Sequence, residues 1–184
     1  MSSSANVNAG KPAATGAVFV APLGTAVPTN ATTAKNGAFV EVGYISTDGV
    51  TNSNAITSTD IKAWGGDVVL TLKTDRTDTF AFTMIESDNT NALKVAFGDS
   101  NVTVDANGNI SIKGNNAVQA NREFIIEMLE ADGYARRIVI PNGAVSSLGD
   151  IVYKDDQAIG YPVTITANVD SAGNTHYEYV QQHA

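Results

Sequence analysis

The clearest strand pattern in the chain lies at residues 67–86, which read DVVLTLKTDRTDTFAFTMIE. In both halves of this stretch apolar residues alternate with mostly polar ones, and Phe80, Phe82 and Met84 share one side of the second half. An alternation with a period of two is typical of a half-buried strand. The short polar link at residues 75–78 predicts that the two strands form a hairpin.

Further short strands are expected on both sides of this hairpin, because similar apolar patterns recur between turn residues. The pairs Asn107-Gly108 and Asp132-Gly133 fit tight hairpin turns, and Pro141 is expected to end a strand. These strands are predicted at residues 17–20, 39–46, 101–105, 109–113, 121–131, 134–140, 161–169 and 175–180.

One segment departs from the β pattern and predicts a helix over residues 87–97. Ser87 and Asn89 are candidate N-terminal caps, and Gly98 is a candidate C-terminal stop. Many antiparallel strands with one helix predict a mainly β fold, an antiparallel β-sandwich or flattened barrel with one flanking α-helix.

The sequence predicts a flexible N-terminal arm at residues 1–16, because its small polar composition cannot form a core face. It predicts a single domain at residues 17–184, with a long loop at residues 51–66. Loops longer than about 12 to 15 residues in compact domains are usually functional or disordered. This one carries Ile56, Ile61 and Trp64, which a free loop does not need. They are therefore candidate contacts with a partner surface, because buried aromatic side chains dominate interface energies.

Composition narrows the possible functions. The 184 residues include no cysteine and two histidines, and the net charge is −8. Absence of cysteine excludes thiol nucleophiles and cysteine-ligated metals, and the negative charge argues against wrapping around nucleic acid or binding anionic membranes. No apolar run approaches the 18 residues of a membrane span. No catalytic residue, cofactor or metal site is expected.

The remaining candidates for chemistry have simpler explanations. Asp105–Asn109 lacks the spacing of a calcium loop and reads as a hairpin turn. Asp155 and Asp156 are expected in a solvated loop, and His176 on a half-exposed strand. Glu123 and Glu127 share one strand face, expected to be exposed or to face a pore. Arg136 and Arg137 are expected to pair with glutamates of the preceding strand.

A resemblance covers most of the chain, from about residue 10 to residue 180. Short motifs in a characteristic order carry it: GKP at 10–12, AVFVAPLGT at 17–25, VGYISTDGVT at 42–51, DIKAWGGD at 60–67, RIVIPNG at 137–143 and AIGY at 158–161. The chain resembles the major tail tube proteins of long-tailed, non-contractile bacteriophages.

This resemblance implies a structural subunit of the virion tail, assembled in the host bacterial cytoplasm. Six copies would close into a ring, and stacked rings would conduct double-stranded DNA from capsid to cell. Residues 51–66 and the arm with Lys11 would contact the neighbouring ring, and Glu123 and Glu127 are candidates to face the lumen. The implied partners are further copies of the chain, a tape measure protein, and tail tip and terminator proteins.

The alternative left open is a monomeric β-sandwich that acts as a binding or adhesin-type module. Such a module would be expected to expose clustered aromatic side chains, whereas Trp64 is the only tryptophan and the tyrosines are scattered. An enzyme is the weakest alternative, because no group of residues has catalytic spacing.

Overall fold

The structure is a computed structural model that describes residues 2, 4, 7–13, 16–130 and 133–182. Within this part of the chain, eleven strands and one α-helix form. The strands are β1 (Gly10–Pro12), β2 (Val18–Pro22), β3 (Val40–Glu41), β4 (Ile45–Lys62), β5 (Val68–Met84), β6 (Val102–Val104), β7 (Ile110–Ile112), β8 (Arg122–Glu130), β9 (Tyr134–Leu148), β10 (Tyr161–Ala167) and β11 (Tyr177–Gln182); the helix is α1 (Thr90–Phe97). The mainly β fold with one short helix is confirmed.

Most strands belong to one antiparallel sheet with the order β3-β2-β8-β9-β10-β5-β4, and β6 and β7 form a separate hairpin. The long strand β9 joins the two halves of the sheet. Its first part pairs with β8 and β11, and its second part, from Gly143 on, pairs with β10. β1 pairs with the end of β8.

The main core lies between the two halves of the sheet and under α1. Val18 and Phe124 from one half meet Phe80 and Ile165 from the other, and all four are buried. The β2-β8-β9 part of the sheet is also buried on its opposite face, where Phe19, Ile125 and Val139 form a second, smaller cluster. Because both faces of this part of the sheet are covered, most side chains of β8 are buried.

The helix begins and ends where its capping residues predict. The side-chain Oδ1 of Asn89 accepts hydrogen bonds from the backbone N–H groups of Asn91 and Ala92. At the other end, Gly98 has a φ of 95° and its N–H donates to the carbonyl of Lys94. Leu93 packs into the main core, so the predicted helix is confirmed with a start at Thr90.

The predicted hairpin at residues 75–78 is wrong, because β5 runs without interruption from Val68 to Met84. The segment 75–78 has no glycine, proline or asparagine, and its residues pair with β4 in an ordinary ladder. The turn lies instead at residues 63–67. There Gly65 and Gly66 have φ angles of 121° and 100°, which glycine adopts far more readily than other residues.

The predicted loop at residues 51–66 is also wrong for residues 51–62, which belong to β4. This segment contains four β-branched residues, which favour extended backbone: Thr51, Ile56, Thr57 and Ile61. The polar residues between them suggested a loop.

Two further strand limits differ from expectation. Residues 39–46 form only the two-residue β3 and the start of β4. Pro141 does not end its strand, because β9 continues to Leu148 with an irregular register opposite Arg122 and Phe124. A proline is tolerated at such a bulge because no ladder hydrogen bond needs its nitrogen.

Candidate assembly surface

β4 and β5 extend beyond the sheet as a two-stranded ribbon, defined here as residues 54–77. β5 pairs with β10 only from Thr79 onward, so within the ribbon the two strands pair with each other alone. Every ribbon residue is exposed. At about 3.4 Å per residue, residues 54–62 span about 30 Å. Because isolated two-stranded ribbons are marginally stable in water, this length of ribbon indicates a surface for a partner.

One face of the ribbon is apolar near the tip. Residues directly opposite in an antiparallel pair share a face, and so do residues two apart on one strand. Ile61 lies opposite Leu70, and Thr59 lies opposite Leu72. The three large side chains, Ile61, Leu70 and Leu72, are 44–50% exposed. We call Ile61, Leu70 and Leu72, together with Thr59 between them, the apolar face.

The other face is mainly polar and charged. Asp60 lies opposite Thr71, whose hydroxyl donates a 2.7 Å hydrogen bond to its carboxylate. Arg76 lies opposite Ile56 and donates to the side chain of Asn54. Ile56 therefore faces away from Ile61, and the structure separates two of the residues that the sequence grouped as one contact set.

The tip of the ribbon presents Trp64 to solvent with no contact that reduces its exposure. The turn is closed by two backbone hydrogen bonds, from Ala63 N–H to Asp67 O at 2.8 Å and from Gly66 N–H to Ala63 O at 3.0 Å. An indole held on a closed turn offers a large contact area at low entropic cost.

The base of the ribbon is held by a buried carboxylate. Asp78 accepts hydrogen bonds from Asn52 Nδ2 at 2.7 Å and from Thr175 Oγ1 at 2.6 Å, and its Oδ2 lies 2.6 Å from His176 Nδ1. Burial raises the pKa of Asp78, but the hydrogen bonds from these three side chains outweigh that effect and hold the pKa below its ordinary value.

Lys11 lies on β1, opposite Leu129 of β8, with its side chain exposed. Residues 10–12 of the predicted flexible arm thus form a strand. The strand uses backbone hydrogen bonds, which leaves the ammonium group of Lys11 on the surface. The contact of Lys11 with a partner stays a prediction. The limits of the arm and of the domain also stay predictions.

Glu123 and Glu127 do not form an exposed acidic face, and that expectation is wrong. They are 4% and 8% exposed because the connection at residues 24–39 covers this face of β8. Glu123 Oε1 accepts from the N–H of Gly24 at 2.9 Å. Burial raises the pKa of Glu123, and backbone donors oppose that rise.

Glu127 belongs to a buried ionic network. Arg137 donates to Glu127 Oε1 from Nε at 2.8 Å and from Nη2 at 2.5 Å, and Lys35 donates to Glu127 Oε2 at 2.6 Å. Arg137 also donates from Nη1 to the carbonyls of Asn30 and Thr33. The network fastens the connection at residues 24–39 onto the sheet.

The predicted cross-strand pairing of the two arginines with glutamates is confirmed. Arg137 pairs with Glu127 as stated above, and Arg136 pairs with Glu130 and with Glu178 of β11. The hydrogen bonds to Glu178 and Glu130 raise the pKa of Arg136. Asp155 and Asp156 are exposed, as expected.

Comparison with protein-family models shows the family of the chain. A family model described as "Phage tail tube protein" matches residues 3–184. The chain belongs to the phage tail tube protein family. It is therefore a structural, non-enzymatic component of the phage tail, and membership of this family implies self-assembly with other tail components.

Comparison with curated proteins gives no match for this tail tube protein. Among solved structures, it is similar to a chain from a cryo-EM structure of the anti-feeding prophage cap, described as the tube-terminating cap. The identity is 11%, both chains are covered over 100% of their length, and the TM-score is 0.48.

Within its described residues, the tail tube protein has no group of three or more acidic or histidine side chains that could hold a metal ion. The same residues include no helix long and apolar enough to cross a membrane.

Sequence reasoning missed two features of the tail tube protein. The first is the burial of β8 on both faces, for which Phe19 and Phe39 on the two sides of the connection were the available signal. The second is the cluster around Asp78. Its partners Asn52 and His176 are distant in sequence, and no local pattern links them.

Proposed function

We propose that this chain is the major tail tube subunit of a long-tailed, non-contractile phage. Six copies close into a ring, and rings stack into a tube whose lumen conducts double-stranded DNA from capsid to host cell. The observation that carries this proposal is the exposed ribbon, whose apolar face and Trp64 have no partner in the described part of the single chain.

The ribbon supports ring stacking because it extends about 30 Å beyond the sheet and ends in an exposed indole. Soluble monomers rarely expose a continuous apolar patch without an interaction that covers it. Ile61 and Trp64 would contact the neighbouring ring through the ribbon, and Lys11 would contact it from β1. Ile56 would lie on the ribbon face turned away from that contact. Contacts of this kind use surfaces that the monomer leaves free.

The sheet supports ring closure because its edges are unpaired within the described residues. β4 and the short β3 end the main path of the sheet, and β1 and β11 end the branches beside β8 and β9. Unpaired edges tend to add strands from other chains, and a closed cyclic assembly uses them without open-ended aggregation.

The net charge of −8 supports passage of DNA. A ring of six carries six times this charge, and an acidic lumen would repel phosphate groups and prevent DNA from adhering. Since Glu123 and Glu127 are buried, other acidic side chains would have to line the lumen. A tape measure protein would fill the tube during assembly, and tip and terminator proteins would begin and end it.

Electron microscopy of the concentrated protein, combined with light scattering, tests the proposal. Hollow tubes or six-membered rings are expected, either spontaneously or after tail tip proteins are added. A protein that stays monomeric even with tip proteins would contradict the proposal and favour a monomeric binding module.

The variant Trp64→Ala tests the role of the ribbon tip. We expect it to keep the melting temperature of the wild type and to lose tube formation, because Trp64 makes no contact that stabilises the monomer. Tyr153→Ala is the matched control, since Tyr153 is an aromatic residue that is 71% exposed but lies far from the ribbon in sequence. Tubes should form normally with this control.

A further inference from the structure

A groove lies at the corner where β2, β3, α1 and the start of β8 meet. It has a volume of about 590 Å³. Pro22, Leu23 and Val40 supply apolar walls. Lys94 and Arg122 supply positive charge, and Asp99 supplies one negative charge beside Arg122. Leu23 and Val40 are 54% and 42% exposed, so the apolar rim is open to solvent.

Arg122 is the unusual residue of this groove. Its side chain is only 9% exposed, and Nη2 donates to the carbonyl of Lys94 at 2.9 Å and lies 3.3 Å from Asp99 Oδ2. Its Nε is buried and has no hydrogen-bond partner within the described residues. Since the Arg122 side chain is held by these contacts inside the chain, the half-buried Lys94 is the cation of the groove that is more open to a partner.

The ribbon tip has the complementary chemistry. Trp64 offers an indole for the apolar walls, and its ring N–H can donate to an acceptor. The carboxylate of Asp67 lies on the same closed turn and can pair with Lys94. A Cβ added at Gly65 or Gly66 would meet no atom within 4 Å, so the backbone of the turn is open and can approach a surface closely.

We infer that the corner groove is the receptor for the ribbon tip of another copy of this chain, with Trp64 between Leu23 and Val40 and Asp67 beside Lys94. This inference rests on the proposed function, because it assigns the surface that receives the ribbon in the next ring. The occupant is a second copy because the tip carries an exposed indole and a carboxylate, which match the exposed apolar rim and Lys94 of the groove.

Crosslinking tests the contact directly. Because the chain has no cysteine, Ala63→Cys and Leu23→Cys can be prepared separately on chains with tags of different size. Mixed under tube-forming conditions with a short bis-maleimide, they should give a heterodimer as the main product. Ser171→Cys, on an exposed turn, replaces Leu23→Cys in the control and should give none.

Charge reversal adds a second readout. Asp67→Lys and Lys94→Glu should each lower tube yield at least tenfold, and the double variant should restore it. Normal tubes with either single variant, or the absence of the heterodimer, would overturn the groove inference. If Trp64→Ala still abolished tubes in that case, the proposed function would stand, and the tip would bind elsewhere.

A different occupant of the groove would also be visible. The N-terminal strand is the main competitor, and Lys11→Cys tests it in the same mixing experiment. A heterodimer of Lys11→Cys with Leu23→Cys, and none with Ala63→Cys, would overturn the inference in favour of the arm.

Discussion

Nδ1 of His176 lies 2.6 Å from Oδ2 of Asp78, and this contact joins the segment before β11 to the base of the ribbon. The ring of His176 also packs edge-on against Phe80, with 5.3 Å between the ring centroids. Asp78 is buried and receives two further hydrogen bonds, so its carboxylate fixes where the ribbon leaves the sheet. The rigidity of the ribbon base therefore depends on residues 98 positions apart.

We predict that Asp78→Asn lowers the free energy of unfolding by about 2 kcal/mol at pH 7, because hydrogen bonds to a buried charged group are lost. The pKa of Asp78 is lower in the folded chain than its ordinary value of 3.8. Its stabilising effect is therefore complete above that value and is lost as the pH falls toward the folded pKa.

Urea unfolding at several pH values checks this prediction. The difference between wild type and Asp78→Asn should shrink as the pH falls below about 4. Asp48→Asn, at an exposed position, is the control and should keep the pH dependence of the wild type. A difference that does not change with pH would contradict the role assigned to the carboxylate.

Removal of one partner from the buried pair of Glu127 and Arg137 should strongly lower the stability of the fold. We predict that Glu127→Ala lowers the free energy of unfolding by about 3–5 kcal/mol, because the guanidinium of Arg137 is left buried without its carboxylate. Replacement of both residues, as Glu127→Leu with Arg137→Met, should cost less than Glu127→Ala alone. Chemical unfolding of both variants measures this, and a larger loss in the double variant would show that the pair itself is stabilising.

Local chemistry was sufficient to predict the mainly β fold and the helix. The alternation around Phe80 and Phe82, and the capping residues Asn89 and Gly98, act over a few residues and leave a readable pattern. The hairpin of β4 and β5 was misplaced because Asp75–Asp78 looks polar and turn-like. The glycines at 65 and 66, which can adopt positive φ, were the better signal for the turn.

The candidate site was predicted in part. Trp64 was identified and lies at the exposed tip, but Glu123 and Glu127 were expected on an open face and are buried. That burial depends on the connection at residues 24–39 folding back over the sheet, which is a long-range event. Period-two alternation reports which residues share a face, and it does not report what covers that face.

Gly143 is predicted to be intolerant of any side chain. A Cβ there would lie 2.7 Å from Cδ2 of Phe124 and 2.9 Å from Cγ2 of Ile165, both core residues. We expect Gly143→Ala to lower the free energy of unfolding by about 1–3 kcal/mol through overpacking. Gly114→Ala is the control, because its Cβ would meet no atom within 4 Å. Equal melting temperatures for the two variants would contradict the close packing of β9 on β8 and β10.

The two faces of the ribbon are predicted to contribute unequally to assembly. The triple variant Ile61→Ser, Leu70→Ser and Leu72→Ser removes the apolar face, and Ile56→Ser changes the opposite face. All four side chains are 44–56% exposed, so the melting temperatures should change little.

Tube formation should respond only to the triple variant. Burial of an aliphatic side chain contributes about 1.5–3 kcal/mol, so loss of three should raise the concentration needed for assembly by more than about a hundredfold. Light scattering against concentration, with electron microscopy of the pellets, measures this threshold. A similar rise with Ile56→Ser would mean that neighbouring subunits enclose both faces of the ribbon, and one-sided docking would then be wrong.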